Sequence, residues 1–300
     1  MSSIQKPTRD RLGDSLTALC GGALALNLLL ILALLGILLA NGGGHFWQEP
    51  LEELTLADGR VLLGEIHERK PVAAREGVVA DPDAQRIQLK VGNRDLTGID
   101  FIWLDESAIV SRSRPLDAVL LERLEWGNFY GRMVELRRGE ELLAAGSEAV
   151  WEAFAPLHEE KTRERHKIRK LEKGPIGDVN QEIEKLRLAR RKVELAEPKG
   201  PAREARIAAI DEAERKRQVE YEALAEQLFS RRAALNAEII VLEAADGRRK
   251  ELPVGAVVRA LRPNTYGLLD KVALNASRLR EFILDDPRES NTEGGIFPAI

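Results

Sequence analysis

The chain has one cysteine, Cys20, so no intrachain disulfide can form and the fold must hold without one. Aromatic residues make up only 5% of the 300, which makes the few rings conspicuous, those at 126, 129 and 130 most of all. Histidine occurs four times, at His45, His67, His158 and His166, and the last two lie two helical turns apart, too far to hold one ion on a straight helix. They are expected as isolated surface residues, and no metal site is expected. Neither sign of charge prevails: a net charge of -4 and a pI near 5.8 leave no electrostatic footprint for nucleic acid. The chain also lacks GxxxxGK[ST], a GxGxxG after a strand and GxSxG. Its arginines are scattered, with no cluster beside a Gly-rich nest. No catalytic residue, no cofactor and no enzymatic activity are expected.

What the chain does have is a long apolar run. Residues 16–40 carry no ionisable side chain besides the thiol of Cys20. As a helix this run reaches about 37 Å at 1.5 Å per residue, more than the roughly 30 Å of a bilayer's hydrocarbon core. A transmembrane helix over 16–40 is therefore expected. A cleaved signal peptide would have a shorter apolar region and a small-x-small site, whereas Leu38-Leu39-Ala40 puts a large residue where a small one is needed. Lys6, Arg9 and Arg11 precede the run and no Lys or Arg follows until Arg60, which places residues 1–15 in the cytoplasm. Asn41-Gly42-Gly43-Gly44 then loosens the chain, and His45, Phe46 and Trp47 form a candidate membrane-interface set, the other reading being rings packed on the next domain.

The remainder predicts an α+β fold. Residues 41–138 show short strands, with hairpins turning at Asp58-Gly59 and Gly92-Asn93, as in a small antiparallel barrel or sandwich. Residues 139–238 are dense in Ala, Glu, Lys, Arg and Leu and predict an inserted long helical hairpin of coiled-coil type. Its breaks fall at Gly174-Pro175-Ile176-Gly177, followed by Asp178 as an N-cap, and at Pro198-Lys199-Gly200-Pro201, the expected hairpin tip. The charges of 159–173 suit a solvated helix face. Strands resume over 239–262, and 263–300 holds a helix at 266–284 and a final lead-in segment. Trp126, Asn128, Phe129 and Tyr130 ring a predicted turn, as a partner-binding surface would, or else fill the core of the β domain.

Several stretches together carry a family resemblance: His45-Phe46-Trp47, Leu89-Lys90-Val91-Gly92-Asn93-Arg94-Asp95-Leu96, Asp100-Phe101-Ile102-Trp103, Glu125-Trp126-Gly127-Asn128-Phe129-Tyr130-Gly131 and the segment from Ser290 to Ile300. Over nearly its whole length the chain resembles the extended N-terminal region of the A-type permease subunit of bacterial phosphate ABC transporters. The resemblance implies a subunit of a phosphate importer in the bacterial inner membrane, with its bulk in the periplasm. Its partners would be a sister permease subunit, a cytoplasmic ATPase subunit that hydrolyses the ATP, a periplasmic phosphate-binding protein and membrane lipid. Asn291, Thr292, Glu293, Gly294, Gly295, Ile296, Phe297 and Pro298 would lead into a second span. The sequence stops at Ile300, so the expectation is an N-terminal portion without the coupling loop or most of the translocation path. A structural alternative is a periplasmic membrane-fusion-type adaptor, built from one span, a β domain and a helical hairpin.

Overall fold

The computed structural model describes residues 11–72 and 84–284. The expected lead-in at 291–298 and the helix stop at 285–287 lie outside the described residues. Two compact units divide the chain, one of residues 1–48 with 266–300, the other of 49–265.

The first unit begins with helix α1 (Arg11–His45). Within it, Ser15–Ile37 has a mean hydropathy of 2.5 and is long and apolar enough to cross a membrane. None of that stretch is buried by the fold, and Leu19 and Leu32 are 72% and 68% exposed. The helix runs on through Asn41–Gly44, where a loosened chain was expected. Each glycine weakens a helix by about 1 kcal/mol relative to alanine without barring helical dihedrals. The run closes where the Trp47 N–H bonds to the Gly44 carbonyl at 3.2 Å.

The second unit starts with an antiparallel sheet of β1 (Leu51–Leu56), β2 (Val61–Pro71), β3 (Gln85–Lys90), β4 (Phe101–Asp105) and β5 (Ile109–Ser113), in the order β4-β3-β2-β1-β5. A one-turn helix α2 (Arg94–Thr97) separates β3 from β4, and a 3-10 turn (Glu106–Ala108) separates β4 from β5. The β1–β2 turn is the expected one: Gly59 takes φ 85°, and the Asp58 carboxylate accepts from the Arg60 backbone at 3.0 Å and its Nε at 2.7 Å. Alternation along the strands sends Leu54, Leu56, Ile87, Leu89 and Leu104 into one core.

A second sheet follows, with β6 (Val119–Arg123), β7 (Asn128–Arg138), β9 (Glu238–Glu243), β10 (Arg249–Pro253) and β11 (Val257–Leu261), in the order β10-β9-β7-β6-β11; β8 (Glu141–Ala145) folds back on the far end of β7. With β8 and the inserted helices set aside, this is the first sheet's order again. A 3-10 turn (Val254–Ala256) again precedes the last strand. A glycine also recurs at the same place. A Cβ on Gly64 of β2 would lie 2.2 Å from the Lys90 carbonyl oxygen, and one on Gly131 of β7 would lie 2.3 Å from that of Glu243. The β region is thus two copies of one five-strand unit, each with its own core. The second core holds Val119, Leu121, Phe129, Met133, Ile240, Leu242 and Val257, and takes Val150 and Phe154 from the first inserted helix.

Those helices occupy the connection between the second and third strands of the second copy. Helix α3 (Ser147–Leu171) passes through a π-turn (Glu172–Ile176) into α4 (Gly177–Ala196), and α5 (Pro201–Leu235) returns. The break expected at Gly174-Pro175 is absent. Leu171 and Gly177 both keep helical φ, -64° and -60°, and no side chain caps α4, so Asp178 sits in its first turn. The wider π-turn accommodates a proline, which lacks the N–H an α-helix would need there. Ion pairs step along the antiparallel α4 and α5, with Arg217–Glu182 at 2.6 Å, Arg187–Glu214 at 3.0 Å and Arg190–Asp211 at 3.4 Å.

The last described element, α6 (Leu268–Leu284), belongs to the first unit. The Asp270 carboxylate accepts from the Gly267 N–H at 2.9 Å at its start. Its far end meets the segment after α1: the rings of Phe282 and Phe46 lie 5.4 Å apart, and Arg278 donates to the Gln48 Oε1 at 2.8 Å and the Phe46 carbonyl at 3.3 Å.

Candidate interaction site

The stretches 91–96 and 123–131 are separate in sequence and interlock in space. Gly92 (φ 53°) and Asn93 (φ 55°) both turn left-handed after β3. At Gly92 a Cβ would fall 2.5 Å from the Tyr130 ring, so the close approach demands glycine. Asparagine tolerates the left-handed region, and the Asn93 amide then acts as a strand partner. Its Nδ2 donates to the Tyr130 carbonyl and its Oδ1 accepts from the Tyr130 N–H, both at 2.8 Å. The Asn93 N–H adds a bond to the Asn128 carbonyl at 3.0 Å.

Beneath this turn lies Arg123, 1% exposed. It donates from Nη1 to Asp95 Oδ2 at 3.0 Å, from Nε to the Gly127 carbonyl and from Nη2 to the Trp126 carbonyl, both at 2.9 Å. Its guanidinium sits 5.7 Å from the centre of the Phe129 ring. Lys250 reaches the same Asp95 oxygen at 3.1 Å. Burial pushes the Asp95 carboxyl up, but hydrogen bonds from Arg123 and Lys250 outweigh it and hold the group below the ordinary aspartate value. Trp126 is thereby fixed at φ 69° with its side chain 54% exposed. A bulky residue rarely adopts that conformation, and the Arg123 bond to its carbonyl helps keep it there.

The expected aromatic surface therefore divides. Phe129 and Tyr130 are fully buried on opposite faces of β7: alternation turns Phe129 into the second core, and the turn at Gly92 packs against the Tyr130 ring. Asn128 is half-buried and uses its backbone to hold Asn93. Only Trp126 of the four stands out toward solvent. Of the interface set, His45 closes α1, while Phe46 and Trp47 are half-buried.

Two other expectations change. His158 is half-buried, stacks on Phe154 with centroids 5.2 Å apart and donates from Nε2 to the Val257 carbonyl at 3.1 Å. Burial lowers its pKa, and the nearby Arg165 and Arg259 charges act in the same direction. Lys161, placed on a solvated face by its sequence context, is buried; it donates to the Ala234 carbonyl at 2.7 Å and pairs with Glu238. Among the described residues, no group of three His, Cys, Asp or Glu could hold a metal ion. The sequence marks Asn93 only as a turn residue and Asp95 only as part of a family-like stretch, with no bonding role for either; the signal for Arg123 is a charged residue at an inward position of Val119-Leu120-Leu121-Glu122-Arg123.

Comparison with known protein families, with curated proteins and with solved structures returned no match. The functional reading rests on the chain's own residues.

Proposed function

We propose that this chain is the membrane-anchored N-terminal region of a phosphate ABC importer permease subunit, assisting uptake of inorganic phosphate by contacts with other transporter components. One observation carries the reading. Leu89–Leu96 and Glu125–Gly131, two of the stretches that resemble that family, pack on each other through the Asn93 amide on the Tyr130 backbone and the Asn93 N–H on the Asn128 carbonyl. Their joint presence follows from a single packing requirement, which favours a shared architecture over coincidental likeness. The uncovered Ser15–Ile37 supports a membrane anchor; in this reading the membrane is the bacterial inner one, and Lys6, Arg9 and Arg11 ahead of the span put the N-terminus in the cytoplasm and the bulk in the periplasm. In this reading α3 to α5 form a coiled-coil hairpin, Trp126 is the contact residue, and ATP is hydrolysed by a separate subunit.

The test is co-purification. Tagged chain extracted from membranes should retain the sister permease subunit or the phosphate-binding protein, and Trp126→Ala should lower that recovery about tenfold, the weight of one aromatic hot spot. Recovery of neither component would sink the proposal. A second reading, a membrane-fusion-type adaptor, is favoured by the α4–α5 turn that follows Ala196 and ends at Pro201. A photo-crosslinker at Lys199 that captured an outer-membrane channel protein would decide for it.

A further inference from the structure

Helix α6 carries apolar residues on both of its sides. Leu274, Leu279 and Phe282 are half-buried, among the polar Lys271, Asn275 and Arg278. Its open side carries Leu268 (70% exposed), Leu269 (83%), Val272 (51%) and Ile283 (49%). Ala273 and Ala276 fill the gaps between them. At 100° per residue, Leu268, Val272, Ala276 and Ile283 fall on one stripe. Single exposed leucines are ordinary, but an apolar stripe along a whole helix asks for a cover.

The place of α6 in its unit indicates what the cover is. Its contacts, Phe46 and Gln48, directly follow α1. From Ile37, the end of the span-length stretch, to His45 the helix rises about 12 Å, which sets Phe46 just outside the headgroup region. Arg280 stands beside the stripe, with a stem long enough to lie along apolar surface while its charge reaches lipid phosphates. We infer that α6 lies in the membrane interface, its apolar stripe in lipid, as a second attachment point beside α1. The inference rests on α1 spanning the bilayer.

The experiment uses the full chain with Cys20→Ser, reconstituted in vesicles of phosphatidylcholine and phosphatidylglycerol. An environment-sensitive fluorophore is placed in turn at Val272→Cys, Leu30→Cys and Glu159→Cys, the last as a water reference. The Val272 label should be blue-shifted and lose most of its emission to lipid carrying a doxyl quencher near the headgroup, and the Leu30 label should be quenched from the tail end. A water-like Val272 label beside a lipid-buried Leu30 label overturns the placement of α6 and leaves the span intact. A shielded but unquenched Val272 label means that another copy of the chain covers the stripe, and also overturns it. A Leu30 label in water removes the span and the inference together.

Discussion

At Asn93 one side chain does the work of a strand edge, and its loss should be felt accordingly. Asn93→Ala strips a partner from both the N–H and the carbonyl of buried Tyr130 and should cost about 2–4 kcal/mol, read from urea unfolding in detergent. The Asp95–Arg123 pair behaves differently. Asp95→Asn leaves the buried Arg123 without its charge partner, a loss of about 3–5 kcal/mol for a buried pair, whereas Arg123→Met leaves Asp95 still paired with Lys250 and should cost less. The double replacement should cost less than the sum of the two, and a strictly additive cycle would contradict the coupling. His158 supplies a pH dependence. Its pKa in the fold is below the unfolded value, so below about 6.5 the unfolded chain takes up a proton that the folded chain resists. Stability should therefore fall as pH drops through 6.5 and level off below the folded pKa, and His158→Gln should flatten that part of the curve. None of this was legible in sequence beyond the residue types, because the partners lie 28 and 37 positions apart for Arg123 and Asn93 and 99 for His158.

At the scale of elements, local chemistry was readable and long-range pairing was not. The Asp-Gly hairpin, the apolar helix and the helical insertion follow from turn residues, hydropathy and composition. The repeated sheet does not, since the inserted helices separate β7 from β9, whereas no helix stands between their counterparts β2 and β3 among the described residues. Gly174-Pro175 misled for a physical reason: it forbids an α-helical hydrogen bond but not a π-turn. The two sheet glycines give a paired prediction. Gly64→Ala and Gly131→Ala each force a methyl against a backbone carbonyl and should each destabilise by about 1–3 kcal/mol. Gly139 and Gly174 have nothing within 4 Å, but Gly139 holds a positive φ; only Gly174→Ala, inside the helical arm, should stabilise, by about 0.5–1 kcal/mol. Thermal unfolding of the three variants side by side checks the set.

For the molecule as a whole, the helices divide into a part the second core needs and a part it does not. Val150 and Phe154 sit in that core, and Lys161 is held by Glu238 at the start of β9. Beyond Leu171 the buried residues of α4, such as Val179 and Ile183, have α5 as their neighbour. Replacing 173–231 with a short turn should leave the β region's unfolding midpoint nearly unchanged, whereas excision from 147 onward should abolish cooperative unfolding. Circular dichroism against urea separates the outcomes. The doubled sheet has one more use. In the second copy, the strand ends at Arg138 and Glu238 are paired side by side and carry the whole helical arm; in the first, the equivalent ends at Pro71 and Gln85 are paired in the same manner. The scaffold thus has two sockets of one pattern, and a helical arm or a reporter domain grafted between Pro71 and Gln85 would find its points of entry and exit already matched.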